Sequence, residues 1–287
     1  MKIINIQQNT PSWLAWRKEK IGASDSPIIM GESPWCTPFQ LWERKLGFIP
    51  DQVENSSMSR GKRLEHEARS EFMKMKNIIV CPEVIQHATN DWMIASLDGL
   101  SVCQKFAVEI KCPGYEDHLS ALKGNVPKKY YSQMQHQIAV SGLDMIYYFS
   151  YDGLENALIE VLRDQEYIDA MILKERNFLE CLRSCIPPQL GEDDYNPRYD
   201  SEWCIAVKKW KLAKEIVEAS QREEEKARKE LIDCCHSMNS KGEGVKVQKI
   251  MRKGVIDYSK IDALDGVDLE NFRKPSSESW RITLDGS

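Results

Sequence analysis

The sequence predicts an α/β fold, a central mixed sheet flanked by helices, followed by a long C-terminal helix and a small β-containing cap. Three observations predict it. Short apolar-rich segments of strand length lie between residues 83 and 112 and again between 145 and 162. Segments of helical period lie before, between and after them, over residues 58–76, 128–141 and 164–184. The order helices, strands, helix, strands, helix suits a layered sheet covered by helices.

The first 50 residues are dense in turn and cap signals. Thr10 followed by Pro11 reads as an N-cap with proline at the first helical position. Ser24 or Asp25 could cap a second helix over about Ser26 to Met30. Thr37 and Pro38 repeat the pattern before Phe39-Gln40-Leu41-Trp42. In the helix over 58–76, Leu64, Ala68, Phe72 and Met75 recur near helical spacing, with Arg60, Lys62, Arg63, Glu67 and Arg69 on other faces and Glu65 beside Leu64. Strands are expected at Glu83–Ala88, Met93–Leu97 and Phe106–Lys111, then at Met145–Tyr151 and Ala157–Leu162.

Pro187-Pro188 and the acidic stretch from Gly191 to Asp200 mark a boundary, dividing the chain into a domain over 1–190 and an extension over 200–287. The extension opens with a helix from Glu202 to about Met238, on the order of 50 Å long. Trp203, Val207, Trp210 and Ile216 stripe its first half, and charge fills Gln221 to Glu230, as on a solvated face. A strand over Val245 to Ile250 and a small β-rich cap ending near Trp280-Arg281-Ile282-Thr283 follow.

At 287 residues, with 42% apolar and 29% charged, the chain can bury a core of useful size. It holds no apolar run of 18 residues, and Met1-Lys2-Ile3-Ile4-Asn5 lacks the apolar stretch of a signal peptide, so a cytoplasmic protein without a membrane span is expected. Its nine cysteines contain no C-x-x-C pair, so neither a zinc ribbon nor a thioredoxin-type redox pair is indicated. They read as free thiols in a reducing compartment. The five histidines are scattered without a metal-binding pair. The net charge of −5 argues against a uniformly basic nucleic-acid binder. The charge is uneven, however. Residues 1–80 hold twelve Lys/Arg against nine Asp/Glu, and residues 153–202 hold five against twelve, so a positive face can still meet phosphates.

One polar constellation stands out. Asp98 ends a strand, and Glu109 and Lys111 sit two apart on the next, on one face. Two carboxylates at strand ends can hold a hard divalent cation. A neighbouring ammonium can orient a water or stabilise charge on a phosphoryl group. Spacing alone leaves the bland alternative open, since Asp-Gly turns and Glu-x-Lys strand faces are common on solvated surfaces. The Trp13, Trp16, Trp35 and Trp42 group can stack on bases or pack the short N-terminal helices. Lys128-Lys129 can touch a DNA backbone or remain solvated.

The motif from Ser96-Leu97-Asp98-Gly99 to Glu109-Ile110-Lys111-Cys112-Pro113 resembles that of the PD-(D/E)XK nuclease superfamily, and in its extended form the YqaJ-type viral recombinases, the group that includes lambda exonuclease. The resemblance covers most of residues 10–165. It extends to Trp13-x-x-x-Arg17 with Gly22-Ala23-Ser24, to Arg60-Gly61-Lys62-x-x-Glu65-x-x-Ala68-Arg69, and to Tyr130-x-x-Gln133-x-Gln135. Leu97 stands where the superfamily has proline, and the loop Gly31 to Thr37 carries no arginine for a second phosphate contact.

The resemblance implies a restriction-endonuclease-like fold and a Mg²⁺-dependent 5′→3′ exonuclease acting on double-stranded DNA ends. Asp98, Glu109 and the Ile110 carbonyl would be metal ligands, and Glu65 would hold a second of two ions. Mn²⁺ would substitute for Mg²⁺. Lys111 would position the attacking water, and Gln133 would bond near the scissile phosphate. Arg17, Ser24 and Ser96 would grip a 5′-phosphate. A homotrimer and a single-strand annealing protein as partner are implied as well, in a phage-encoded or bacterial setting. The alternatives are a structure-specific or restriction-like endonuclease of the same fold and a non-catalytic DNA- or partner-binding module.

Overall fold

The computed structural model describes residues 1–6, 10–50, 55–236 and 238–249. It divides into two compact units, Met1–Asn196 and Pro197–Ser287. Among the described residues no helix is long and apolar enough to cross a membrane.

The first unit is built on a seven-stranded mixed sheet. Its strands are β1 (Lys2–Ile3), β2 (Ile21–Gly22), β3 (Val80–Gln86), β4 (Met93–Ser101), β5 (Ala107–Lys111), β6 (Met145–Tyr151) and β7 (Asn156–Leu162). Six run in the order β1-β3-β4-β5-β6-β7, and β2 pairs with β4. β4 and β5 are antiparallel, whereas β5 and β6 are parallel and therefore need a crossover. That crossover contains α5 (Tyr115–Leu122) and α6 (Lys128–Ser141), and it lays α6 against the sheet. The two-residue strands β1 and β2 carry too little pattern to be seen in sequence. The helix α5 was also not expected, although Glu116 and Asp117 in its first turn suit a helix N-terminus.

The other helices are α1 (Pro11–Lys18), α2 (Ser26–Ile29), α3 (Pro38–Leu46), α4 (Ser56–Lys76) and α7 (Gln165–Ser184). Their starts follow from caps. The Trp13 amide donates to Thr10 Oγ1 at 3.3 Å, and Thr37 closes a capping box with Gln40. Asn55 caps α4, whose first residue, Ser56, lies two residues ahead of the expected start. Asp25 is the exception: it precedes α2 without capping it, and its carboxylate turns back to accept the Gly22 amide at 2.9 Å.

Burial explains the layers. Val108 and Ile110 of β5 join Ala68 and Phe72 of α4 in one core on one face of the sheet. Ala107, on the alternate face, joins Met134 and Ile138 of α6 in the other. Burying a side chain such as Phe72 contributes roughly 1.5–3 kcal/mol. A third core sets Ile21, Leu41 and Trp42 against Phe178 and Leu179 of α7.

Two backbone features shape the β4 edge. Residues Met93 and Ile94 pair with β2, and Gly99 and Leu100 pair with β5. Between them, residues 95–98 have no ladder partner on that side among the described residues. The sheet forks there, and Asp98 stands at the fork. Gly99 is needed for space rather than for φ. A Cβ added to it would lie 2.6 Å from a Val80 methyl and 2.8 Å from a Val108 methyl, closer than carbon atoms approach.

In the second unit, α8 (Ser201–Asp233) is capped by Asp200, whose side chain accepts from the Trp203 amide at 3.0 Å. None of its residues is buried, including Trp203, Val207, Trp210 and Ile216, so its apolar stripe covers no core among the described residues. A hairpin of β8 (Ser240–Gly242) and β9 (Val245–Val247) follows. The expected strand to Ile250 ends three residues earlier among the described residues, and the expected cap near Trp280 lies outside them. All nine cysteines are free.

Candidate active site

The fork in β4 opens into a cleft of about 230 Å³. Arg17, Ser24, Glu65, Ser96, Asp98, Glu109, Ile110, Lys111 and Gln133 all line it. The nine positions singled out in sequence thus converge on one cleft from five elements and one loop.

Each carboxylate has a defined role in the geometry. Asp98 Oδ2 accepts the Ile110 amide at 2.7 Å, which bridges the fork and fixes the acid against β5. Glu109 is buried, and by strand alternation it faces α6. Its Oε1 accepts from Lys111 Nζ and from Gln133 Nε2, both at 2.6 Å, and its Oε2 accepts from Gln137 Nε2 at 2.5 Å. The Lys111 ammonium also donates to Gln133 Oε1 at 3.2 Å and lies 5.2 Å from the centre of the Tyr130 ring. Burial raises the Asp98 carboxyl well above the usual range, and the charges of Glu109 and then Glu65 push it further. Burial by itself would lower Lys111, but Glu109 and Asp98 outweigh it and hold the ammonium protonated.

Glu65 lines the cleft with its carboxylate ion-paired to Arg69 one turn further on. Arg69 in turn donates from Nε to the Asp98 carbonyl at 2.7 Å. Arg60 of the same helix donates to the Pro113 carbonyl at 3.0 Å and to the Asp152 carbonyl at 2.6 Å. The two arginines therefore clamp α4 to the backbone on both sides of the site.

At the other end, Arg17 donates to Ser24 Oγ at 3.0 Å and lies 4.6 Å from the centre of the Trp13 ring. Asp25 stands behind it, 3.7 Å from Arg17 and 2.8 Å from Lys45. Burial would raise the Asp25 carboxyl, but Lys45 and Arg17 hold it below its ordinary value. Ser96 pairs with Val84 of β3 and lies in the stretch of β4 that has no ladder partner on its other side among the described residues.

Among the described residues no three His, Cys, Asp or Glu side chains form a ready-made metal cluster. The donor set still fits a hard cation. Asp98 and Glu109 are a pair of oxygen donors beside the Ile110 backbone, with water free to fill the remaining positions. Burial is the main cause of the raised Asp98 carboxyl, and the part that Glu109 and Glu65 add is negative charge that a cation would relieve.

The chain is similar to known proteins. Residues 12–144 match the model of the YqaJ-like viral recombinase domain. This part of the chain is YqaJ-like in sequence. The structure of an alkaline exonuclease from Laribacter hongkongensis is 29% identical, with 62% of this chain covering 94% of it at a TM-score of 0.53. The same enzyme in complex with dAMP aligns at a TM-score of 0.54 and 28% identity. The uncharacterized protein YqaJ of Bacillus subtilis is 28% identical over 180 residues, which are 61% of this chain and 56% of that protein. An uncharacterized protein of Acanthamoeba polyphaga mimivirus is 27% identical over 160 residues, 29% of its length. The chain thus spans about half or less of the curated relatives it matches.

From sequence, Gln137 and Arg69 have no role in the site, and Asp25 reads only as a helix cap. Gln137 had a signal: it is one turn beyond Gln133, so the two amides share the helix face that meets Glu109. It also donates to the Ser96 carbonyl at 3.4 Å, tying the YqaJ-like domain's α6 to both strands of the fork. If the cleft hydrolyses DNA, a Gln137→Leu variant should fold and should cut it about 10–100-fold more slowly, the usual effect of removing a group that orients a ligand. Single-turnover rates check this. A change below threefold would mean that the Gln133 and Lys111 contacts suffice.

Proposed function

We propose that the YqaJ-like domain is a Mg²⁺-dependent exonuclease that degrades double-stranded DNA from the 5′ end, leaving 3′ single strands. One observation carries the reading: the carboxylates of Glu65, Asp98 and Glu109, a protonated lysine and the donor group of Arg17, Ser24 and Ser96 line a single cleft. A bound divalent cation would stabilise charge on the phosphoryl group and activate water, held by Asp98, Glu109 and the Ile110 carbonyl, with Glu65 toward a second ion and Mn²⁺ able to substitute. Lys111 places a fixed positive charge beside the reacting phosphate, and Gln133 orients both Lys111 and Glu109. The Arg17 guanidinium, presented by Asp25 and by the Trp13 ring, supplies the fork that anions prefer, and the hydroxyls of Ser24 and Ser96 add short donors. A relative crystallised with dAMP supports a nucleotide-bearing substrate.

The reading extends to a homotrimer around DNA and to a single-strand annealing protein that takes up the product. Linear duplex labelled separately at each 5′ and 3′ end tests it. With Mg²⁺, the 5′ label should be released first as mononucleotide, a 5′-phosphate should speed release, and covalently closed DNA should stay intact. Cutting of closed circles would move the assignment to an endonuclease. Release of the 3′ label first would reverse the polarity.

A further inference from the structure

The four N-terminal tryptophans behave differently. Trp13 and Trp42 are buried, and Trp16 is half-buried. Trp35 is 63% exposed. Its loop is held at both ends: Gly31 turns at a φ of +75°, Ser33 Oγ accepts the Trp35 amide at 3.3 Å, and Thr37 caps α3. A large ring presented to solvent on an anchored loop is a common way to offer a flat contact surface.

Its surroundings indicate the ligand. Lys129 Nζ lies 4.8 Å from the centre of the Trp35 ring and 5.4 Å from that of Tyr130. Lys111 Nζ lies 5.2 Å from the same Tyr130 ring. Consecutive ring–cation contacts therefore connect the exposed indole to the amine of the cleft. Asp117 pairs with Lys129 at 2.6 Å and offsets part of its charge, while Lys128 beside it is exposed. Aromatic faces next to ammonium groups, at the rim of a site built for phosphodiesters, are the elements of a single-strand platform. The rings stack on bases of any sequence, and the cations follow the backbone.

We propose that Trp35 and Lys129 form a nucleobase-stacking subsite on the rim of the cleft, which takes a base of single-stranded DNA. The inference rests on the nuclease reading above and adds to it a contact to a base rather than to phosphate. In this chain the loop Gly31 to Thr37 has no arginine, so its contribution to binding would come from stacking.

The test uses 5′-phosphorylated oligonucleotides of about ten nucleotides, within the usual span of such platforms. They are bound in EDTA and titrated by fluorescence anisotropy, with a single abasic site moved along the strand. Trp35→Ala should weaken binding by on the order of tenfold, and Trp35→Phe should retain most of the affinity. An abasic site at one position should weaken the wild type as much, and Trp35→Ala should then add nothing. Equal affinities of wild type and Trp35→Ala would overturn the subsite. So would a loss that adds to the abasic effect at every position. If the wild type binds and cuts DNA in these cases, the nuclease reading survives alone. If it binds no DNA, both fall.

Discussion

Asp98→Asn and Lys111→Ala should each lose at least about 10²–10³-fold in the rate of duplex digestion, with their folds intact. Asparagine keeps the shape of the side chain and an oxygen able to accept the Ile110 amide, the 2.7 Å contact that bridges the fork. What it removes is the negative charge. Lys111→Ala removes the ammonium that Glu109 and Asp98 hold protonated. Glu109 keeps its contacts from Gln133 and Gln137, so the buried carboxylate is not left without donors. Both variants should therefore melt as cooperatively as the wild type and still bind DNA. Rates within tenfold of the wild type for either one would mean that hydrolysis does not take place in this cleft.

The largest effect on stability is expected beneath the site. His136 of α6 is fully buried between two acceptors: Nδ1 meets Glu175 Oε1 at 2.7 Å, and Nε2 meets the Ile94 carbonyl at 3.0 Å. A neutral imidazole has one N–H and could satisfy one of them, so both contacts require the charged ring. Burial alone would lower the His136 pKa, but the Glu175 charge and hydrogen bond outweigh it and raise it. Ser26 Oγ of α2 donates to the same Glu175 oxygen at 2.6 Å. The pair thus joins α2, α6 and α7 to β4, the strand that carries Ser96 and Asp98.

Glu175→Leu should cost about 3–5 kcal/mol, because it leaves a buried imidazolium without its counter-ion. His136→Leu combined with Glu175→Leu should recover much of that loss. The pH dependence has a definite sign. A raised histidine pKa contributes stability that is fully present below the unfolded value, near 6.5. That contribution is lost as pH rises through the higher folded value. Chemical denaturation at several pH values, comparing the wild type with His136→Leu, should show the difference shrinking above about pH 6.5. A cost below about 1 kcal/mol for Glu175→Leu, typical of exposed pairs, would remove the pair from the account of the fold.

Much of the first unit is legible in sequence because its elements are set locally. Thr10-Pro11 and Thr37-Pro38 start helices where expected, and α6 and β6 run between the expected residues. The alternation in β5 puts Glu109 and Lys111 on one face before any contact is known. The failures have different causes. Asp25 resembles a helix cap in sequence, but two cations and the Gly22 amide compete for its carboxylate. The role of Gln137 depends on which face of α6 meets the sheet. Trp35 looks like Trp13 and Trp42 in sequence, and only packing separates the exposed ring from the buried ones.

The sequence by itself determined the five longer strands of the sheet, most of its helices and the acid–acid–lysine pattern of Asp98, Glu109 and Lys111. These depend on φ/ψ preferences, caps and side-chain alternation over a few residues. Only the tertiary structure decided that β4 forks between β2 and β5, that nine candidate residues share one cleft, and that two glutamines hold the buried glutamate. It also decided that Ser26 meets Glu175 across 149 residues of chain. Those outcomes depend on which apolar faces bury each other, and that choice is made between segments too distant in sequence for local pattern to record.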